Sequence, residues 1–229
     1  LDVQRRERWI RGDWQIVNWL LPRVPGLRKH HQPNPLSALS RWKILDNLRR
    51  SLLPAALTLL LLLGWSVTPF AWFWTLFVAG ITLLPIVVMS TVSLMRKPER
   101  VHITQHLSQV LRTTRFSLLE AGFRISTLPY EASFSLAAIM HSHVRLFFAR
   151  KRLLEWKASG EHNRNAATSL MASYQTMLVA PVLAVISAVS LALIQPLALL
   201  AALPILLLWL AAPALAWWLS LPLVPKHDE

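Results

Sequence analysis

Two long stretches without any charged residue dominate this sequence. No Asp, Glu, Lys or Arg occurs between Leu52 and Met95, or between Asn165 and Pro225. A helix of roughly 20 apolar residues is long enough to cross the hydrocarbon core of a bilayer. Each stretch is about twice that length or longer. The sequence therefore predicts an integral membrane protein whose chain crosses the membrane more than once in each stretch.

The basic residues are concentrated outside these two stretches. Of the 24 Lys and Arg residues, eleven lie in residues 1–51 and twelve in residues 96–164. Loops rich in Lys and Arg stay on the cytoplasmic side of a membrane, so both basic segments are expected there, with an even number of crossings between them. The positive charge thus indicates membrane topology, and no nucleic-acid partner is expected. The predicted fold is an all-α integral membrane protein with about four transmembrane helices in two hairpins, plus amphipathic interfacial helices.

This organisation divides the chain into five segments. They are an interfacial segment at 1–51, a transmembrane hairpin at 52–95, cytoplasmic amphipathic helices and a linker at 96–171, a second hairpin at 172–221, and a short cytoplasmic tail at 222–229. The predicted spans are Leu52–Thr68, Phe70–Met95, Ala172–Ile194 and Pro196–Leu221. A second interfacial helix, Ser37–Arg50, leads into the first span. The cytoplasmic helices are expected to break near Pro129, because proline lacks the N–H that continues a helix.

The segment "RRERWIRGDWQ" at residues 5–15 combines cations with flat aromatic rings. A guanidinium group makes paired, charge-assisted hydrogen bonds to phosphate oxygens. An indole ring offers an apolar platform on which a sugar ring can stack. Arg8 and Trp9 would carry these two roles, with Arg5 and Arg11 in support. The same composition is also typical of a basic helix that only anchors the chain at the membrane surface, so both interpretations stay open at this point.

Several blocks of the sequence carry a resemblance to a known family. Residues 5–15 resemble the Q-R-x-R-W-x-R-G-x-x-Q pattern of processive membrane glycosyltransferases, with Arg5 standing where the wider pattern has Gln. The blocks that follow, in order, resemble the cyclic β-1,2-glucan synthases of Gram-negative bacteria: "NPLSALSRWKILDNLRRSLLPAALTLLLLLGW", "LPYEA" at 128–132, "RKRLLEW" at 150–156 and "AWWLSLP" at 216–222. The resemblance covers nearly the whole chain.

This resemblance implies a multi-pass protein of the bacterial inner membrane that polymerises glucose from UDP-glucose into a cyclic glucan. It implies that Arg8 contacts the nucleotide diphosphate and that Trp9 stacks on the acceptor glucan. The remaining motif positions, Arg5, Arg11 and Gln15, are implied to belong to the same binding site. The expected partners are UDP-glucose, the growing glucan, membrane lipids, and N- and C-terminal parts of the same polypeptide.

The catalytic groups of such an enzyme are expected outside this chain. The resemblance implies a divalent metal, Mg²⁺ or Mn²⁺, and catalytic aspartates that precede the Arg-Trp motif, so the fragment alone is expected to be inactive. Asp13 is interpreted as a partner of Arg11 or as a cap of local structure, and not as a catalytic acid. An alternative from a different class is a non-enzymatic scaffold or transporter-like subunit whose basic loops bind lipids.

Several other polar residues can be interpreted as either structural or functional. His102 and His106 have the spacing of two metal ligands on one helix face, but no third ligand is evident, so a surface pair is expected. Glu131 could be functional at membrane depth, although a structural acid with a partner is the simpler interpretation. Tyr130 and Tyr174 are the only tyrosines and could carry a protein-linked glucan. His30 and its neighbour His31 are expected to be solvated in a proline-rich loop.

Overall fold

The computed structural model describes residues 2–25, 31–98, 101–144, 146 and 169–221. Its helices are α1 (Asp2–Gln15), α2 (Ala38–Val67), α3 (Ala71–Met95), α4 (Ile103–Val144), α5 (Leu170–Thr176), α6 (Val179–Ile194) and α7 (Pro196–Ser220). A short 3₁₀ helix, Val17–Leu20, follows α1, and strands β1 (Arg23–Pro25) and β2 (His31–Pro33) pair antiparallel with Val24 opposite Gln32. Apart from these two short strands, the expectation of an all-α membrane protein is confirmed for the described residues.

Three helices in the described residues are long and apolar enough to cross a membrane: α2, α3 and α7. The third expected span, Ala172–Ile194, is not one straight helix, because α5 and α6 meet at a bend of 70°. With 16 residues, α6 is about 24 Å long and falls short of a hydrocarbon core of about 30 Å. The bent pair α5–α6 therefore completes four spans only if both helices together form one crossing.

The helix α2 joins two segments that the sequence distinguishes by their polarity. From Ala38 onward, the charged segment and the apolar segment after it form one helix of 30 residues, with Pro54 inside it. The hydroxyl of Ser37 accepts a hydrogen bond from the Ser40 amide at 3.2 Å and so caps the start of this helix. In the charged part, Trp42 remains 61% exposed, as expected of a helix face that lies at a membrane interface.

The expected break near Pro129 is wrong, because α4 continues through this residue for 42 residues in all. Proline has no N–H to donate, so the carbonyl of Ile125, four residues earlier, lacks its helical partner. The indole of Trp209 in α7 donates a hydrogen bond to this carbonyl at 3.1 Å, in a buried environment. This bond from a neighbouring helix satisfies the oxygen that proline leaves unpaired, and the helix persists.

The described chain forms two compact units. One contains residues of 1–56 and 131–167, and the other contains residues of 57–130 and 168–229. The first unit thus includes α1, the β1–β2 pair and the charged part of α2. Three segments discussed above lie outside the described residues: "RKRLLEW" at 150–156, nearly all of the linker at 158–169, and the tail at 222–229. His30 also lies outside them.

A buried hydrogen-bonded network holds the core of the second unit. The Trp209 ring packs against the Trp65 ring with centroids 5.7 Å apart, and both residues are almost fully buried. The Trp65 indole donates to the Thr75 hydroxyl at 2.9 Å, and that hydroxyl donates to the Ala201 carbonyl at 3.0 Å. Because these buried polar groups are satisfied by one another, they fix α2, α3, α4 and α7 against one another.

Small residues line the contact between α6 and α7. They are buried at four-residue spacing on each helix, at Ala180 and Ala184 in α6 and at Ala198 and Ala202 in α7. Small side chains let two helix backbones approach closely, which favours packing between membrane helices. This contact explains how two helices with no charged residue form a specific pair.

Candidate functional site

The motif helix α1 places its side chains in two directions. Positions four residues apart lie on the same helix face. Arg6, Ile10 and Trp14 form one such series, and Arg6 and Trp14 both contact other helices of the first unit. Arg5 and Trp9 form a second series, in which the Arg5 guanidinium lies 5.2 Å from the centre of the Trp9 ring. One face of α1 is thus fixed by packing, while the Trp9 side chain is 61% exposed.

The first fixed contact joins α1 to α4. The Arg6 guanidinium lies 2.9 Å from the Glu131 carboxylate and 5.6 Å from the centre of the Phe134 ring. Eight residues further along α4 than Phe134, the Ser142 hydroxyl donates to the Arg11 carbonyl at 3.3 Å. Glu131 is only 19% exposed, and its charge is balanced by Arg6. The interpretation of Glu131 as a structural acid with a partner is confirmed.

The second fixed contact joins α1 to α2. The Trp14 indole donates to the Ser51 hydroxyl at 2.9 Å, and the Asn47 amide donates to the Asp13 carboxylate at 3.2 Å. The expected pairing of Asp13 with Arg11 is wrong for these described side chains. Residues two positions apart in a helix point to different sides, so Asp13 instead meets α2, while the Arg11 backbone meets α4.

A cavity of about 760 Å³ opens beside α1 within the first unit. Its lining comes from three helices and consists of Arg6, Arg8, Trp9, Ile10, Gly12, Asp13, Asn47, Arg50, Ser51, Pro54 and Ser135. It is an open cleft and not an enclosed chamber. The structure therefore brings Arg8 and Trp9 to one cavity, and Arg5 contacts Trp9 from beside it. Arg11 and Gln15 are not among the lining residues.

Arginine predominates among the charged residues that line the cavity. Three guanidinium groups line it, those of Arg6, Arg8 and Arg50, against one carboxylate, that of Asp13. Arg6 is ion-paired with Glu131, and Arg50 lies 2.6 Å from the Asp46 carboxylate. These carboxylates offset two of the three positive charges. The arrangement can still bind an anionic ligand through hydrogen bonds from the guanidinium groups.

Sequence reasoning missed part of this lining. Arg50 is the last cation before the first charge-free stretch, and this position was a signal that could have identified it. Asn47 lies three residues before Arg50 on the same helix, and Ser135 lies four residues after Glu131 on α4. These polar residues approach α1 only through tertiary packing, so no local pattern in the sequence relates them to the motif.

The histidine pair is not a surface pair, because His106 is 93% buried. Its Nε2 atom has no hydrogen-bond partner among the described residues. His106 lies eight residues before Thr114, whose hydroxyl pairs with that of Ser90 in α3 at 2.8 Å. Within the described part of the chain, no three His, Cys, Asp or Glu side chains are grouped to hold a metal ion.

The two tyrosines take part in helix packing. Tyr130 is partly buried against Met177, Ala180 and Ala212. The Tyr174 hydroxyl donates to the carbonyl of Leu210 at 3.4 Å. Both side chains lie in the second unit, and neither lines the cavity beside α1.

Comparison with known proteins supports the resemblance seen in the sequence. No protein-family model matches the chain. Over 228 residues, or 96% of its length, the chain is 34% identical to the cyclic beta-(1,2)-glucan synthase NdvB of Rhizobium meliloti (strain 1021). The chain is homologous to one segment of a cyclic β-(1,2)-glucan synthase. It spans 8% of the length of that synthase. The family resemblance expected from the ordered sequence blocks is thereby confirmed.

Proposed function

We propose that this chain is the membrane part of a glucosyltransferase that polymerises glucose from UDP-glucose into cyclic β-1,2-glucan. The observation that carries the proposal is the cavity beside α1, which both Arg8 and Trp9 of the motif line. The similarity to a cyclic beta-(1,2)-glucan synthase over 96% of the chain supports the same reaction class. We expect the protein in a bacterial inner membrane, with its basic loops in the cytoplasm.

The guanidinium of Arg8 would bind the diphosphate of the sugar nucleotide. Two parallel N–H donors match two phosphate oxygens, and this geometry makes arginine the preferred residue for phosphate recognition. Arg6 and Arg50 line the same cavity and pair with Glu131 and Asp46. They would support Arg8 in attracting the anionic donor.

The indole of Trp9 would stack on the acceptor glucan. Its 61% exposure leaves much of the ring available to a ligand. Arg5 packs against that ring at 5.2 Å, and such a cation–π contact restricts its orientation. Because Arg11 and Gln15 do not line the cavity, direct substrate contacts are assigned to Arg8 and Trp9, with Arg5 positioning the ring.

A divalent ion, Mg²⁺ or Mn²⁺, would neutralise charge on the departing diphosphate. The described residues offer no group of three potential ligands, so they do not fit such an ion. We propose that its ligands, and the base that activates the acceptor hydroxyl, belong to other segments of the longer polypeptide. The chain in isolation is therefore expected to be inactive.

The proposal is tested in the longer membrane protein that carries this segment. Trp9→Ala should abolish the incorporation of radiolabelled glucose from UDP-glucose while membrane insertion is unchanged. Arg8→Ala should raise KM for UDP-glucose by about 10- to 100-fold, because hydrogen bonds to charged groups contribute about 1.5–3 kcal/mol.

The chain offers matched controls for both variants. Trp42 is also 61% exposed and belongs to the same unit, but it does not line the cavity, so Trp42→Ala should retain activity. Arg49→Ala is the matched control for Arg8→Ala, because Arg49 does not line the cavity, and it should likewise retain activity. Normal incorporation in Trp9→Ala would reject the assignment and favour the scaffold or transporter-like alternative.

A further inference from the structure

The cavity beside α1 contains one acidic residue in its lining, Asp13. Its carboxylate accepts a hydrogen bond from the Asn47 amide at 3.2 Å, and both side chains line the cavity together with Trp9. Asp13 follows Trp9 by four residues in α1, so the two side chains lie on the same helix face. The cavity thus carries a carboxylate–amide pair beside an exposed indole.

The charge of a ligand determines whether the Asp13–Asn47 pair can bind it. A carboxylate repels a diphosphate, which the three arginines of the same cavity attract. A sugar hydroxyl, in contrast, donates a charge-assisted hydrogen bond to a carboxylate oxygen. The Asn47 side chain has a second N–H and a carbonyl oxygen that can serve further hydroxyls. The Asp13–Asn47 pair is therefore suited to a neutral, hydroxyl-rich ligand.

The pair is not the main attachment of α1 to α2. The Asp13–Asn47 hydrogen bond is exposed to solvent, and exposed polar contacts contribute little to stability. The neighbouring bond from Trp14 to Ser51 is better protected, because Ser51 is 93% buried. Removing the Asp13 charge should therefore leave the helices in place.

We propose that Asp13 and Asn47 form the hydroxyl-binding part of a glucosyl subsite for the growing glucan, with Trp9 as its apolar platform. This inference rests on the proposed function of the cavity. Asp13 acts in it as a binding group that orients the acceptor and not as the catalytic base. The cavity then has a phosphate-binding part at Arg8 and a sugar-binding part at Asp13.

The test measures two affinities of the longer membrane protein in lipid nanodiscs, by calorimetry, with β-1,2-linked glucotriose and with UDP as probes. Asp13→Asn keeps an oxygen for Asn47 but removes the charge. It should weaken glucotriose binding by about 10-fold and leave UDP binding unchanged or tighter. Asp13→Ala should weaken glucotriose binding further. Glu7→Gln is the matched control, since it removes one charge from the same helix outside the lining, and both affinities should persist.

The outcomes separate this inference from the proposed function. If Trp9→Ala weakens glucotriose binding but both Asp13 variants leave it unchanged, the subsite is wrong and the proposed function stands. If Asp13→Asn weakens UDP and glucotriose binding equally, the assignment to a sugar subsite is likewise rejected. If Arg8→Ala and Trp9→Ala change neither affinity, the proposed function fails, and the subsite fails with it because Trp9 is its platform.

Discussion

The Arg6 guanidinium and the Glu131 carboxylate lie 2.9 Å apart, although 125 residues separate them in the sequence. This ion pair fixes the motif helix against α4 within the first unit. It lies beside the cavity, which Arg6 also lines. The stability of α1 should therefore depend on a residue far from the motif.

Glu131→Gln should loosen α1. Glu131 is 19% exposed and Arg6 is 41% exposed, so solvent screens the pair only in part, and its loss should destabilise the docking of α1 by about 1–2 kcal/mol. Hydrogen exchange of the α1 amides measures this effect as faster exchange. The control is Glu120→Gln, because the pair of Glu120 with Arg124 is largely exposed on both sides and should contribute little. Equal exchange rates in the two variants would contradict the prediction.

Trp209→Phe should destabilise the second unit although it preserves an aromatic ring. The change removes the N–H that satisfies the Ile125 carbonyl, and an unpaired buried acceptor costs about 1–3 kcal/mol. Thermal unfolding in detergent should show a lower Tm. Trp218→Phe, at a residue that is 64% exposed, should leave Tm nearly unchanged.

A second substitution should rescue this defect. Pro129→Ala restores a backbone N–H four residues after Ile125, so the helix itself can satisfy the carbonyl. The double variant Trp209→Phe/Pro129→Ala should therefore be more stable than Trp209→Phe alone. If the double variant is no more stable than Trp209→Phe alone, the explanation of the unbroken α4 helix is wrong.

Gly64→Ala should be destabilising because of a close contact between α2 and α3. A Cβ atom at Gly64 would overlap the Cβ and Cγ atoms of Trp74, which cannot move without the whole indole. Overpacking of this kind costs about 1–3 kcal/mol, measurable as a lower Tm. Gly80 is the control: no heavy atom among the described residues lies within 4 Å of an added Cβ there, so Gly80→Ala should not lower Tm.

The membrane architecture could be predicted from the sequence because it depends on charge and length alone. The charge-free stretches contain the apolar part of α2 and all of α3, α5, α6 and α7, and of these α2, α3 and α7 are long and apolar enough to span a membrane. The continuity of α4 could not be predicted, because Pro129 is tolerated only through a hydrogen bond from Trp209, 84 residues away. The bend between α5 and α6 was likewise not predicted, although Gln175 and Thr176 precede it and Pro181 follows it in the sequence.

The candidate site was predictable only on α1. Arg8 and Trp9 belong to one local motif, and both line the cavity. The remaining lining residues come from α2 and α4, which approach α1 through contacts between distant positions such as Trp14 and Ser51. Sequence spacing carries no information about such contacts, so Asn47 and Ser135 could be found only in three dimensions.

The hydrogen bond from the Trp209 indole to the Ile125 carbonyl also has a consequence for biogenesis. Ile125 is synthesised 84 residues before its partner, and at a translation rate of about 5–20 residues per second the delay is about 4–17 s. During that interval α4 has a carbonyl without a donor, in the turn that contains Pro129. The nascent helix should therefore acquire its final stability only when α7 has emerged from the ribosome.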